Sequence, residues 1–116
     1  MTQRTERVAE EFREVLAEEI PRLKDPRVGF VTVTAVEVTA DLRRARVFYT
    51  VLGDDASRRR TRAGLRSARG HLRGVLGHEV RLKFLPELEF EEDHSAERAE
   101  RIDRLLEEIK DQDAQH

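Results

Sequence analysis

Residues 29–39 read Gly-Phe-Val-Thr-Val-Thr-Ala-Val-Glu-Val-Thr, and this stretch decides the fold class. β-Branched residues dominate it, and such residues favour strands over helices. The two valines before Ala35 share one face by alternation, whereas Val36 and Val38 share the other face. Because such a change of phase needs an extra residue, we expect a β-bulge near Ala35.

A second strand is predicted over residues 44–52, after a short polar connection. Its residues alternate between an apolar and a polar face. The apolar residues are Ala45, Val47, Tyr49 and Val51, and the others are Arg44, Arg46, Phe48 and Thr50. Phe48 lies beside Arg44 and Arg46 and is a candidate for base stacking, although a lone aromatic residue is more often covered by a neighbouring element.

Apolar residues with helical spacing occur in the sequence both before and after these two strands. Apolar residues recur every three or four positions over residues 5–23, which predicts the first helix. The same spacing follows the second strand, in a basic segment for which Asp55 or Ser57 is the expected N-cap. We expect this segment to end at Gly77, because glycine is favoured at helix C-termini.

The last third of the chain predicts one more strand and one more helix. Residues 80–90 alternate apolar and charged side chains, with an interruption at Pro86. Helical spacing returns at about residues 95–111, before a short polar tail. The apolar residues of this helix are Ile102, Leu105, Leu106 and Ile109, and we expect them to pack on the domain. The element order is α-β-β-α-β-α in a single α+β domain spanning residues 1–116.

Composition narrows the possible chemistry. The chain has 22 Lys and Arg, 24 Asp and Glu, and no Cys, which excludes disulfides, thiolate nucleophiles and Cys-ligated zinc. No apolar run is long enough for a membrane span, and the first residues lack the apolar core of a signal peptide. We therefore expect a cytoplasmic protein. Charge is nevertheless segregated, because residues 41–85 are strongly basic and residues 86–116 are strongly acidic.

Five arginines in the basic segment are spaced 3, 4, 3 and 4 residues apart, which places them on one line along a helix. They are Arg59, Arg62, Arg66, Arg69 and Arg73, and no acid occurs from Ala56 to His78. The small residues Ala63, Ser67, Gly70 and Gly74 lie about 90° to one side of this line. A nearly bare surface beside guanidinium groups lets a phosphate backbone approach closely, so the pattern indicates RNA binding.

Two other interpretations of the basic segment stay open. The arginines are either a solvated helix face, or a positive surface that the acidic last helix covers and neutralises. The first is disfavoured because like charges four residues apart repel one another without Glu partners.

Catalysis has little support in the sequence. Asp93, His94 and Ser95 are adjacent, so they cannot form a catalytic triad, and both Asp93 and Ser95 are candidates for capping the last helix. His71 and His78 are seven residues apart, unlike the i, i+4 pair of a helical metal site. We predict no enzyme, no metal, no cofactor and no small-molecule substrate.

The sequence resembles the bacterial ribosome-binding factor A family. The matching pieces, in order, are Arg4-x-x-Arg7-Val8, Asp25-Pro26-Arg27, Val31-Thr32-Val33, Asp41-Leu42-x-x-Ala45-x-Val47, Ala68-Arg69-Gly70, and Pro86-Glu87-Leu88-x-Phe90-x-x-Asp93 with Ser95. The resemblance implies a type II K-homology-like domain with a three-stranded sheet and helices packed on one face. It also implies a factor that binds the immature small (30S) ribosomal subunit and its rRNA, assists late maturation including 5′-end processing, and supports growth in the cold.

The resemblance also bears on individual residues. The family bends its central helices at an Ala-x-Gly kink, which Ala68 and Gly70 match. We expect Gly70→Val to damage function, either by blocking close approach of RNA or by straightening the bend. Residues 74–77 superficially restore a Gly-x-x-Gly clamp, but their two central residues continue the apolar stripe, which disfavours a clamp. We predict a monomer whose RNA-binding residues are Arg59, Arg62, Arg66, Arg69, Arg73, Gly70, Ser67, Arg44 and Arg46. The alternative is a protein-interaction adaptor that uses its acidic C-terminal helix.

Overall fold

The computed structural model describes residues 3–114 and contains a three-stranded sheet with four α-helices. The elements are α1 (Gln3–Glu19), a short 3₁₀ turn (Ile20–Arg22), β1 (Val31–Val38), β2 (Arg44–Val51), α2 (Asp55–Ser67), α3 (Arg69–Glu79), β3 (Glu87–Glu92) and α4 (Ser95–Ala114). This order confirms the predicted α+β class and the type II K-homology-like arrangement, with the basic helix divided into α2 and α3.

β2 is the central strand of the sheet. It pairs antiparallel with β1 and parallel with β3, so β1 and β3 are the edge strands. The pairing of β1 with β2 shifts between Val33 and Ala35, which confirms the expected bulge. The shift allows Val33 and Val38 to face the core although they differ by an odd number of positions.

The core lies between the sheet and the first three helices. The apolar face of β2 is buried, as predicted, with Val47 and Tyr49 fully covered. Fully buried residues of α1, α2 and α3 lie in the same apolar cluster; they are Phe12, Leu16, Leu65, Leu72 and Leu76. Burying each such side chain contributes about 1.5–3 kcal/mol, so this layer holds α2 and α3 in a fixed rotation against the sheet.

The third strand is shorter than predicted. It begins at Glu87, and residues 80–86 are not part of the sheet. The cause lies in the register, because Glu87 pairs with Arg44, the first residue of β2. Residues before Glu87 therefore have no neighbouring strand to pair with.

Two details of the central helices also differ from expectation. The N-cap of α2 is Asp54, whose side chain accepts a hydrogen bond from the Ser57 N–H, rather than Asp55 or Ser57. α3 continues past Gly77 to Glu79, so Gly77 does not end the helix. A Cβ at Gly77 would overlap the Leu85 side chain, which explains the glycine by close packing.

The prediction that the last helix packs on the domain is wrong. Its apolar residues are about half exposed, at 55% for Ile102, 52% for Leu105, 56% for Leu106 and 54% for Ile109. The helices α1, α2 and α3 already cover the apolar face of the sheet, and the other face is mostly polar, so the core offers α4 no place to pack. The helix also runs to Ala114 rather than to residue 111. Within residues 3–114, none of the helices combines the length and apolarity needed to cross a membrane.

Candidate RNA-binding surface

The arginine line, defined as Arg59, Arg62, Arg66, Arg69 and Arg73, lies on the outer side of the two central helices. α2 carries its first three members and α3 its last two. Burial of Thr61 and Leu65 fixes the rotation of α2, and burial of Leu72 and Leu76 fixes that of α3. Because the line lies about 110° around the helix from these residues, its side chains project away from the core.

The two helices meet at a break that lies at Ala68. This residue has φ −84° and ψ −4°, its N–H donates to Gly64 O at 3.0 Å, and its own carbonyl accepts from Leu72 N at 2.9 Å. The predicted kink is therefore present. Gly70 does not adopt positive φ, which among the described glycines occurs at Gly53, and a Cβ on Gly70 would meet no atom within 4 Å. The bend thus does not require glycine at position 70, which leaves obstruction of a close RNA contact as the reason to expect damage from Gly70→Val.

Most of the arginine line has no acidic partner. In the part of the chain that the structure describes, no carboxylate lies within salt-bridge distance of Arg59, Arg62 or Arg66, and all three are exposed. Arg69 is also exposed, and its Nε donates to Arg66 O at 3.2 Å beside the helix break. These four guanidinium groups form a row of positive charge that the fold itself does not neutralise.

Arg73 differs from the other four. Its Nε donates to Pro86 O at 2.8 Å, one Nη donates to Leu85 O at 3.3 Å, and it pairs with Glu87 at 3.3 Å. Arg73 therefore anchors the loop before β3 to α3, and part of its charge is compensated.

A cavity of about 170 Å³ lies beside the middle of the arginine line, next to the free edge of β3. Arg62, Arg66, Arg69, Glu89 and Phe90 line it. Phe90 was predicted only as a strand residue, because its alternation with glutamates gives no sign that an arginine row lies beside it. The cavity thus combines cations with an aromatic ring, which suits a nucleotide.

The hydroxyl of Tyr49 lies behind this cavity. Burial raises the pKa of Tyr49, and the nearby Arg62 guanidinium opposes that rise. The Tyr49 ring meets Phe90 edge to face, with 6.4 Å between ring centroids. Phe90, which forms part of the cavity wall, therefore packs against the buried core residue Tyr49.

The small residues Ala63, Ser67, Gly70 and Gly74 form a bare strip on the other side of the arginine line. The segment before β1 contacts this strip at Ser67. Arg27 donates from one Nη to Ser67 Oγ at 3.0 Å and forms an ion pair with Asp25 at 2.6 Å. Hydrogen bonds from Arg27 lower the pKa of Asp25 to about 2, so this ion pair persists at neutral pH. Ser67 therefore contacts a neutralised arginine, whereas Gly70 and Gly74 have open space above them.

Arg44 and Arg46 lie elsewhere, on the face of the sheet opposite the helices. Each stands in register with a glutamate of β3: Arg44 with Glu87, and Arg46 with Glu89. Arg46 also pairs with Glu91 at 3.5 Å. The sequence grouped these two arginines with the arginine line, but the structure separates them and places them beside a strand rich in glutamate. Phe48, on the same face, is partly covered.

The acidic C-terminal helix does not cover the arginine line. Glu97 of α4 pairs with Arg58 at 3.5 Å, and Arg58 also lies 3.8 Å from the buried Glu92 and 3.7 Å from Asp55. In the described part of α4, no carboxylate forms an ion pair with any arginine of the line. The alternative in which this helix neutralises the line is therefore wrong, because only its first turn reaches α2.

The described residues offer no metal centre, since none of their His, Asp and Glu side chains form a group of three that could hold an ion. What the surface offers is a row of arginines, an adjacent aromatic cavity and a bare helical strip.

The chain is similar in sequence to proteins of one known family. The sequence model of the family described as ribosome-binding factor A matches residues 4–106. Ribosome-binding factor A of Geobacter sulfurreducens is 50% identical over 111 residues, covering 95% of this chain and 94% of that protein.

Two solved structures are also similar. The crystal structure of ribosome-binding factor A from Thermus thermophilus has a TM-score of 0.68 at 30% identity, covering 76% of this chain and 94% of that one. A homology model of the Thermus thermophilus factor, fitted into the cryo-EM map of a complex of 30S with the factor, has a TM-score of 0.62 at 30% identity and covers 74% and 91%. On the sequence match and the shared fold, the chain belongs to the ribosome-binding factor A family.

Proposed function

We propose that this protein is a monomeric, cytoplasmic assembly factor that binds the immature small ribosomal subunit through its rRNA. In this role it assists late maturation, including processing of the 5′ end of the small-subunit rRNA, and does so by binding rather than by catalysis. The fitted complex of a relative with 30S supports the choice of partner.

The observation that carries the proposal is the uncompensated charge of Arg59, Arg62, Arg66 and Arg69 on an acid-free pair of helices. Phosphate oxygens satisfy guanidinium groups through charge-assisted hydrogen bonds, often in pairs. A row of them spaced along about 15 Å of helix matches several successive phosphates better than it matches a single small anion.

The surroundings of the line favour unpaired or irregular RNA over a smooth duplex. The bare surface at Gly70 and Gly74 permits close approach of a backbone, and Phe90 lies in the cavity beside Arg62. An aromatic ring can stack only on a base that has left its own helix. We therefore assign the contact to a junction or strand end of the rRNA.

Cosedimentation with isolated small subunits at increasing salt tests this proposal. Phosphate contacts release counterions, so log affinity should fall linearly with log salt, with a slope of about −0.7 per contact for single strands. We expect a slope of about −3 from four arginines. A control with ribosomal proteins free of RNA should show no binding, and binding that persists in this control or is insensitive to salt contradicts the proposal.

The exposed apolar stripe of α4 favours a second candidate, an adaptor that docks on another protein through this helix. Deleting residues 95–116 separates the two functions. Because the stripe contributes little to the core, we expect the melting temperature to change by less than about 3 °C and small-subunit binding to persist. If binding to the subunit is lost with the helix while the remaining domain stays folded, the adaptor function is supported instead.

A further inference from the structure

A second basic surface lies at the end of the sheet where β1 turns into β2. Its members are Arg4 of α1, Arg43 of the turn, and Arg81, Lys83 and Phe84 of the loop before β3. We refer to them as the Phe84 patch. Arg4, Arg81, Lys83 and Phe84 line one cavity of about 330 Å³, and the side chain of Phe84 is 48% exposed.

Phe84 is held among cations rather than in the core. The guanidinium carbon of Arg43 lies 4.6 Å from the centre of its ring, and Lys83 Nζ lies 5.7 Å from it. Both distances are within the range of cation–π attraction. A guanidinium resting on a ring keeps its N–H groups free at the edge, so aromatic face and phosphate donors occur at one place.

The turn that carries Arg43 contains one residue in an unfavourable backbone conformation. Leu42 has φ 61°, the left-handed region that a bulky residue rarely adopts. The turn is held by Asp41, whose Oδ1 accepts from Thr39 Oγ1 at 2.7 Å and from the Arg43 N–H at 3.0 Å. Asp41 is the carboxylate that lines the cavity, and these bonds already engage it. Strained backbone of this kind is typical of places where side chains must be presented for binding.

The patch is continuous with the arginine line. Arg73, the last member of the line, donates to the carbonyls of Leu85 and Pro86, the two residues that follow Phe84. RNA that follows the line along α2 and α3 therefore arrives at the loop that carries Lys83 and Phe84.

We propose that the Phe84 patch binds an unpaired nucleotide of RNA, with its base stacked on Phe84 or on the Arg43 plane and its flanking phosphates held by Arg4, Arg81 and Lys83. This inference rests on the proposed function for the identity of the RNA. Four cations around one exposed ring, with one carboxylate that already has partners, match a nucleotide better than they match a protein surface.

A single tryptophan tests the stacking directly, because the chain contains no Trp. Phe84→Trp places a fluorophore in the patch. Phe30→Trp is the matched control, since Phe30 is 84% exposed and lies beside the first residue of β1, at the opposite end of that strand. Each variant is titrated with isolated small subunits, and cosedimentation is measured on the same samples.

Stacking of a base should quench the fluorescence at position 84 by more than about half and leave position 30 changed only by absorption of the rRNA. Cosedimentation without extra quenching at position 84, or equal quenching at both positions, overturns this inference and leaves the proposed function standing. Absence of cosedimentation for both variants and the parent chain overturns both.

A second variant measures how much affinity the stacking contributes, whereas the fluorescence measures only whether a base lies near position 84. Phe84→Leu should weaken small-subunit binding about tenfold without changing the salt slope, because a stacked ring contributes affinity but releases no counterion. Arg81→Gln, which removes one of the proposed phosphate contacts, should instead lower the slope by about 0.7. Unchanged affinity of Phe84→Leu contradicts the assignment, and a reduced slope in that variant assigns the effect to displaced cations instead of stacking.

Discussion

The arginine line and the open face of the sheet carry the same side chain in opposite electrostatic settings. On the sheet, Arg44 and Arg46 stand in register with glutamates of β3, and Arg46 forms an ion pair with Glu91. On α2, Arg59, Arg62 and Arg66 form no ion pair among the described residues, although Glu89 lines the same cavity as Arg62 and Arg66. Compensation, rather than the number of arginines, therefore distinguishes a binding surface from an ordinary polar face.

The difference has a physical cause in the two kinds of element. Neighbouring strands place opposite charges face to face, so each arginine of β2 meets a glutamate across the ladder. A helix can neutralise itself only through residues three or four positions away, and the segment from Ala56 to His78 contains no acid. We propose that a bound polyanion relieves the repulsion between these arginines.

Reversing the charge of two arginines should give the largest difference in small-subunit binding between the arginine line and the sheet arginines. We expect Arg62→Glu combined with Arg66→Glu to weaken small-subunit binding at least about 100-fold, because two phosphate contacts are lost and two repulsions are added. The matched variant, Arg44→Glu with Arg46→Glu, should weaken binding by less than about threefold. Cosedimentation measures both.

Circular dichroism serves as the control for folding in that experiment. Both pairs are exposed, so both variants should keep the helical spectrum of the parent chain. Equal losses of binding in two folded variants would show that the sheet face contacts RNA as strongly as the helices do.

Replacing single arginines by glutamine removes their charge without reversing it. Such variants separate defined phosphate contacts from attraction by the net charge of the protein. Arg59→Gln, Arg62→Gln and Arg66→Gln should each reduce the salt slope by about 0.7 and the affinity by about tenfold at low salt. Arg46→Gln should leave the slope unchanged, because Arg46 is already paired with Glu91. A common small effect of all four would indicate attraction by net charge without defined phosphate contacts.

The glycines beside the line provide a smaller and more specific test. Gly70→Ala has open space and helical surroundings, so it should stabilise the fold by up to about 1 kcal/mol, yet weaken binding several-fold by obstructing the RNA backbone. Gly77→Ala must displace the exposed Leu85 side chain, so it should gain less stability than Gly70→Ala, and it should leave binding unchanged because Gly77 lies outside the strip of small residues. Melting temperatures and affinities measured on the two variants decide whether Gly70 serves contact or only conformation.

The smallest expected effect comes from removing compensation on the sheet. Glu89→Gln with Glu91→Gln frees Arg46 from its acidic neighbours, and should raise the affinity for non-specific RNA about twofold at low salt. The gain should disappear at high salt. Unchanged affinity at low salt would mean that these glutamates do not limit binding to the sheet face.

Local pattern was sufficient to predict much of this molecule. The change of phase around Ala35 predicted the bulge, and the alternation in β2 identified Val47 and Tyr49 as core residues. The spacing of the arginine line predicted its single face, because α2 and α3 nearly continue one another across Ala68. Each of these features depends on residues close together in the chain.

Features that depend on tertiary register could not be predicted in this way. The pairing of Arg46 with Glu91 joins strands 45 residues apart and follows from the parallel register of β2 and β3. The contacts of Arg73 with Pro86 and Leu85 depend on where the loop before β3 lies. α4 does not pack on the domain because the other three helices already cover the apolar face of the sheet. Its own amphipathic pattern had predicted that it would pack there.

The central claim is that RNA meets the arginine line and not the sheet arginines. The most direct measurement is ultraviolet crosslinking of the intact protein to isolated small subunits, followed by mass spectrometry of the peptides that carry nucleotides. Our account predicts nucleotide adducts within residues 59–73 and none within residues 44–51. Adducts confined to residues 44–51 would contradict it.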